Sequence, residues 1–124
     1  MLTPTITYVD STGPVIRIGF NLATSGTYTN KANGGDKFNL ATAAQDPLYQ
    51  GMIAYVAALL GTPLDVDVWD AGGDVTTIVA AVLGTNLTNC YVMLASALGT
   101  ELGNGAGYPG SVTKLIGEAV FNKL

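Results

Sequence analysis

The sequence predicts an all-β domain: an antiparallel β-sandwich or jelly-roll-like barrel of about eight strands, with at most one short helix near residues 47–60. Three observations lead there. Residues 15–22, VIRIGFNL, put Ile16, Ile18, Phe20 and Leu22 on one face and Arg17, Gly19 and Asn21 on the other, which is the period of a half-buried strand. Residues 64–69 alternate again, with Leu64, Val66 and Val68 set against Asp65, Asp67 and Trp69. The third is VLGTNLTN, where Gly84-Thr85-Asn86 reads as the tip of a hairpin between two apolar runs.

Taken in chain order, LTPTITYV is extended, with Thr3, Thr5 and Thr7 on one face and Pro4, Ile6 and Tyr8 on the other. Its start carries no charge, and proline keeps it open to pairing. Met1, Leu2, Thr3, Pro4 and Thr5 are therefore expected to form an extended N-terminal arm, a candidate partner contact able to add to a neighbour's sheet edge. DSTGP, residues 10–14, is turn chemistry. Gly34-Gly35-Asp36 then raises a choice between a ligand cradle and a turn. A phosphate cradle needs a helix N-terminus or more cations than Lys31 and Lys37. The next residues are instead Lys37-Phe38-Asn39-Leu40, whose alternation sends Phe38 and Leu40 inward. The two glycines supply positive φ and Asp36 can bond the backbone two residues on, so the stretch reads as a turn.

Three later segments admit two readings. DPLYQGMIAYVAALLG opens with Asp46-Pro47, suited to a helix N-cap and first turn, and closes on Gly61. Val75, Ile78, Val79, Val82 and Leu83 form a helical stripe, as do Val112, Leu115, Ile116, Ala119 and Val120. On the stripes alone, the chain would be an α/β domain. Against that, VTTIV and CYVML are rich in β-branched and aromatic residues. Pro47 to Leu60 is the one segment long and Ala-rich enough to be a helix.

The pattern SGTYTN…GGDKFNLATA, followed by GTELGNGAGYPGSVT…IGEAVFNKL, resembles the small capsid decoration, or cement, proteins of tailed bacteriophages, which are β-sandwiches of jelly-roll type. The matching positions are Gly34, Gly35, Asp36, Asn39 and Leu40, then Glu101, Leu102, Gly105, Tyr108 and Pro109, then Phe121 and Lys123. The match covers the second and last quarters of the chain and departs at IAYVAALL and at the inserted Asn30-Lys31-Ala32-Asn33. It implies that TNCYVMLA and KLIGEAVF are strands and that Gly34, Gly35, Asp36, Tyr108 and Pro109 build structural turns. It also implies a virion structural protein on the capsid surface, made in the host cytoplasm. Its partner would be the major capsid protein; self-association as a homodimer or homotrimer burying an apolar face is expected separately, from how little charge covers the surface.

The residues set out no catalytic machinery. There is no histidine, which removes the commonest general base and metal ligand. Cys90 is the only cysteine, so an internal disulfide is excluded, and its apolar surroundings read as core. In GNGAG, residues 103–107, the last glycine of a dinucleotide fingerprint falls on Tyr108 and no Lys-Ser/Thr pair follows, so the stretch reads as a flexible surface loop. Asp65, Asp67, Asp70 and Asp74 miss the EF-hand spacing and read as a solvated face. Asn86-Leu87-Thr88 fits a glycosylation sequon but lies at the hairpin tip. No cofactor, no metal and no enzymatic activity are expected. The alternative of another class is a small α/β ligand-binding or enzymatic domain using the 65–74 acids and the 103–107 loop.

Composition bounds the partners. The 124 residues form one domain, and no apolar run reaches the roughly 18 residues of a membrane span. MLTPTITYVD lacks the basic flank and apolar block of a signal peptide. Net charge is −4, and Arg17, Lys31, Lys37, Lys114 and Lys123 are dispersed, which argues against nucleic acid. Only 11% of residues are charged, against about 25% in soluble domains. With 48% hydrophobic residues, part of the surface is expected to be covered by protein.

Overall fold

The computed structural model describes residues 1–45, 48, 51–72, 76–112 and 114–124. The larger sheet grows from the alternating segments. β2 (Val15–Thr24) buries Ile16, Ile18, Phe20 and Leu22 and lies between β1 (Leu2–Asp10) and β8 (Leu115–Lys123), antiparallel to both. β5 (Leu60–Asp70) pairs with the far side of β8. β4 (Ala44–Gln45) adds two residues beside Thr5 and Ile6, the one parallel pairing among the described residues. The order is β4-β1-β2-β8-β5. A three-stranded sheet, β3-β7-β6, is made from β3 (Asp36–Phe38), β7 (Cys90–Ser96) and β6 (Thr77–Val82). The two sheets stay separate, so the fold is a sandwich and not a closed barrel. Between them lies one core, crossed by Phe20 and Phe38 with ring centroids 5.0 Å apart.

Several sequence expectations need correction. Met1–Thr5 is not an arm. Leu2 and Pro4 are buried, and residues 2–6 pair with residues 20–24 of β2. Pro4 is tolerated because β1 has no second neighbour there among the described residues; β4 reaches only Thr5 and Ile6. Tyr8 does not share the face of Ile6. The register shifts between them, leaving Thr7 unpaired, so Tyr8 points outward and Val9 inward.

The helix is α1 (Met52–Ala57), six residues that bury Ile53 and Val56; Asp46-Pro47 lies outside the described residues. Gly61 does not stop that helix. It lies within β5, where a Cβ would stand 2.9 Å from the Asn122 carbonyl oxygen, so glycine there lets β5 lie against β8. Register shifts around Pro63 also leave Leu64 half exposed while Val66 and Val68 are buried.

Of the two later helical stripes, Ile78, Val79 and Val82 lie in β6 and Leu115, Ile116, Ala119 and Val120 in β8; Leu83 and Val112 fall outside these strands, and Val75 lies outside the described residues. These strands are apolar on two faces, so an apolar residue occurs at nearly every position and a helical stripe is contained within the run. The α/β plan fails with them. β6 and β7 form the hairpin, Val82 opposite Tyr91.

Close approach sets the tightest part of the large sheet. At Gly117 a Cβ would stand 2.4 Å from the Asp67 carbonyl oxygen and 2.7 Å from the Phe20 ring. Gly117→Ala should therefore destabilise by about 1–3 kcal/mol and lower Tm by roughly 4–12 °C. Gly13→Ala, with open space around the new methyl, should stay within about 0.5 kcal/mol. Equal thermal melts for the two variants would contradict this packing.

Candidate interaction surface

β3 is too short to pair with all of β7. Its ladder ends at Asp36 opposite Val92, and a second contact resumes where Glu101 bridges Ala95 and the Leu102 amide donates to the Leu94 carbonyl. In the gap, the buried Leu94 amide donates 3.1 Å to the hydroxyl of Tyr28, which is 1% exposed. That hydroxyl in turn donates 2.5 Å to Glu101 Oε2, which also accepts from the Lys31 amide. Tyr28 thus takes the place of a missing strand.

A second tyrosine completes the clasp. Tyr108 packs edge-on to Tyr28, ring centroids 6.4 Å apart, and donates its hydroxyl hydrogen to Asp36 Oδ2. Among the described residues Asp36 is the one charged residue buried in the core. The Met1 nitrogen donates 2.6 Å to the same hydroxyl. Gly34 and Gly35 have φ of 103° and 85°, the left-handed turn the sequence predicts. The role given to Asp36 is corrected, because its carboxylate reaches across to Tyr108, 72 residues on. Pro109 comes after Tyr108, and its carbonyl accepts from the Val112 amide in the turn before β8. The GNGAG loop is exposed but tied down: the Gly105 amide donates to the Tyr28 carbonyl and Asn104 Oδ1 accepts from the Asn30 amide. Sequence spacing missed Tyr28 and Glu101 as a pair, since nothing local links residues 73 positions apart.

The other candidates resolve separately. Asp65 and Asp67 lie side by side on the outer face of β5, and the charge of Asp65 raises the Asp67 carboxyl above its usual range. Asp70 Oδ1 accepts from the Gly72 and Lys114 amides; Asp74 lies outside the described residues. Among the described residues no group of three or more His, Cys, Asp or Glu side chains could hold a metal ion. Cys90 is fully buried and its thiol is pushed up by that burial. Asn86 Oδ1 accepts from the amide and hydroxyl of Thr88, a local turn with Leu87 buried between them. A crevice of about 320 Å³ among Ala41, Ala57, Leu60, Leu87 and Phe121 is lined by no titratable side chain.

The surfaces of the two sheets differ. On the large sheet, Tyr8 drops over Gly19 and donates to Glu118, which also pairs with Arg17 at 3.0 Å; burial and that bond push the Tyr8 phenol up to about 12. On the small sheet the inward positions are Phe38, Val79, Ala81, Cys90, Val92 and Leu94. The outward rows are Ile78 opposite Ala95, Ala80 opposite Met93, and Val82 opposite Tyr91. Ile78 is 46% exposed. None of the six is charged; Lys37 opposite Tyr91 and Glu101 opposite Ala95 stand on the β3 side. Comparison with protein-family models, curated proteins and solved structures finds no match.

Burial, then the carboxylate each faces, raises the phenols of Tyr28 and Tyr108 well above the ordinary tyrosine value of 10.0. With folded values above the unfolded one, their contribution to stability is full below about pH 10 and is lost as pH rises beyond it. Alkaline unfolding should thus coincide with a late rise of phenolate absorbance. Tyr108→Phe should cost about 1–3 kcal/mol by leaving a buried carboxylate oxygen without its donor. Tyr55→Phe, at a side chain 65% exposed, should change Tm little. An unaltered melt for Tyr108→Phe would show that the clasp holds nothing together.

Proposed function

We propose that this chain is a non-enzymatic structural protein of a bacteriophage virion. In this reading it is a decoration or cement subunit that binds the major capsid protein lattice at the head surface and associates with its own copies. The observation that carries the reading is the uncharged outer face of β6 and β7, a contiguous apolar surface of the kind that marks a protein contact.

Other features support it. The sandwich is the fold that the resemblance to decoration proteins implies. The two distant segments carrying that resemblance meet in one clasp, through Asp36, Glu101 and Tyr108 with Tyr28. Five dispersed cations and nine acids leave no strong single-sign field, so attachment rests on shape and buried area. Repetition of the lattice multiplies modest contacts into lasting occupancy. The outer face of the large sheet, where Trp69 is 47% exposed opposite Ile116, is the second broad surface available to a shell.

Mass spectrometry of gradient-purified virions should find the chain in fixed ratio to the major capsid subunit. Added to heads stripped of it, the protein should rebind with occupancy changing less than about twofold between low and physiological salt, because apolar burial is not screened. Recovery only in the soluble lysate, or occupancy that collapses in moderate salt, would refute the reading.

A further inference from the structure

We propose that the outer face of the three-stranded sheet binds the same face of a second copy, forming a two-fold dimer. The axis would run along the Ala80–Met93 row, at right angles to the strands. The proposed structural role supplies only the setting; the register of the strands supplies the geometry.

The face has three rows, and the Ala80–Met93 row is the middle one. A two-fold axis lying in the interface along that row exchanges the rows on either side of it. Met93 then meets Met93 and Ala80 meets Ala80. Ala95 of one copy lies beneath Tyr91 of the other, small against large, and Ile78 meets Val82. Facing sheets pack about 10 Å apart with strands near parallel or antiparallel, which this arrangement satisfies.

Charge selects the same axis. Lys37 stands at the Tyr91 row and Glu101 at the Ala95 row, both on the β3 side. The exchange of rows sets Lys37 of each copy against Glu101 of the other, twice. An axis parallel to the strands would instead lay both charges over the uncharged β6 of the partner, leaving them unpaired. A foreign partner would match both features only by being uncharged across the rows and carrying an acid and a base at these two corners. A second copy meets that requirement by symmetry.

Area sets the strength. Three strands and three rows with their flanks give a footprint of roughly 14 Å by 20 Å, under half of the roughly 800 Å² per partner found in stable complexes. The dimer should therefore be weak and reversible.

Sedimentation equilibrium of the full chain over about 5–500 µM, a range wide enough to reveal a weak, reversible dimer, tests it. The weight-average mass should rise from 12.7 kDa toward twice that value. Met93→Lys puts two cations together on the axis and should hold the protein at monomer mass. Lys37→Glu should weaken association several-fold and reverse its response to salt. Should Met93→Lys fail to fold by circular dichroism, Ala80→Glu on the exposed edge strand serves in its place. A monomer throughout, a limiting mass of three or more copies, or association indifferent to a folded axis variant would overturn the proposal. Presence in virions is read independently: a dimer through this face with no virion location would refute the structural role and leave the interface standing.

Discussion

β7 needs a hydrogen-bonding neighbour along its whole length, and β3 provides one for only part of it. Where β3 ends, the buried Leu94 amide would be left without a partner, at a cost of about 1–3 kcal/mol. The Tyr28 hydroxyl fills the gap, and the chain at 100–102 resumes the ladder beyond it. Much of that end of the molecule is arranged around this one bond. Tyr28 is anchored through its backbone to Gly105 and Ala106, which holds the 103–107 loop against the sheet. Its hydroxyl fixes Glu101, Glu101 holds the Lys31 amide, and the short 3-10 turn at Lys31–Asn33 leads into the glycines before β3. Tyr108 closes the other side by satisfying Asp36.

The two sheets manage their outer faces in different ways. Arg17, Glu118 and Tyr8 make a polar network over the large sheet, with Asp65 and Asp67 further out on β5. On the edge strand β5, Asp65 and Asp67 discourage edge-to-edge pairing with another sheet. The small sheet carries no charge on β6 or on the outward side of β7. One face of the small sheet rests on the core; on the other, Tyr91 packs over Gly35 and Val82, Met93 and Ala95 are partly covered, while Ile78 and Ala80 stay exposed. In the proposed contact a second surface would remove the exposed remainder from water.

Legibility in the sequence tracked the number of faces a strand buries. β2 was readable because one face is apolar and the other carries Arg17 and Asn21. β6 and β8 were ambiguous because apolar residues occur on both faces, and the resemblance, not their periodicity, implied a strand over 114–121. Gly61 misled as a helix stop because a glycine required by a neighbouring backbone looks the same in sequence as one required by a cap. The turn at Gly34-Gly35 was legible, since positive φ is a local demand. The clasp was not. Tyr28, Asp36, Glu101 and Tyr108 each fit an ordinary loop, and only the fold shows that each tyrosine meets a carboxylate some seventy residues away.

Glu101 belongs to the clasp and stands at the border of the apolar face. It is held by Tyr28 and the Lys31 amide, and its register opposite Ala95 puts it at a corner of that face. In the proposed dimer, a carboxylate already fixed by two donors would lose little freedom when the second copy's lysine approached. The rows beside it stand on paired strands of a packed sheet, so their backbone is also ordered before association. Small interfaces depend on such preorganisation, because the entropy of ordering side chains and loops is a larger share of a small total. In the proposed dimer the clasp would therefore do more than seal the end of a sheet: it would set in advance the positions from which a modest contact surface acts.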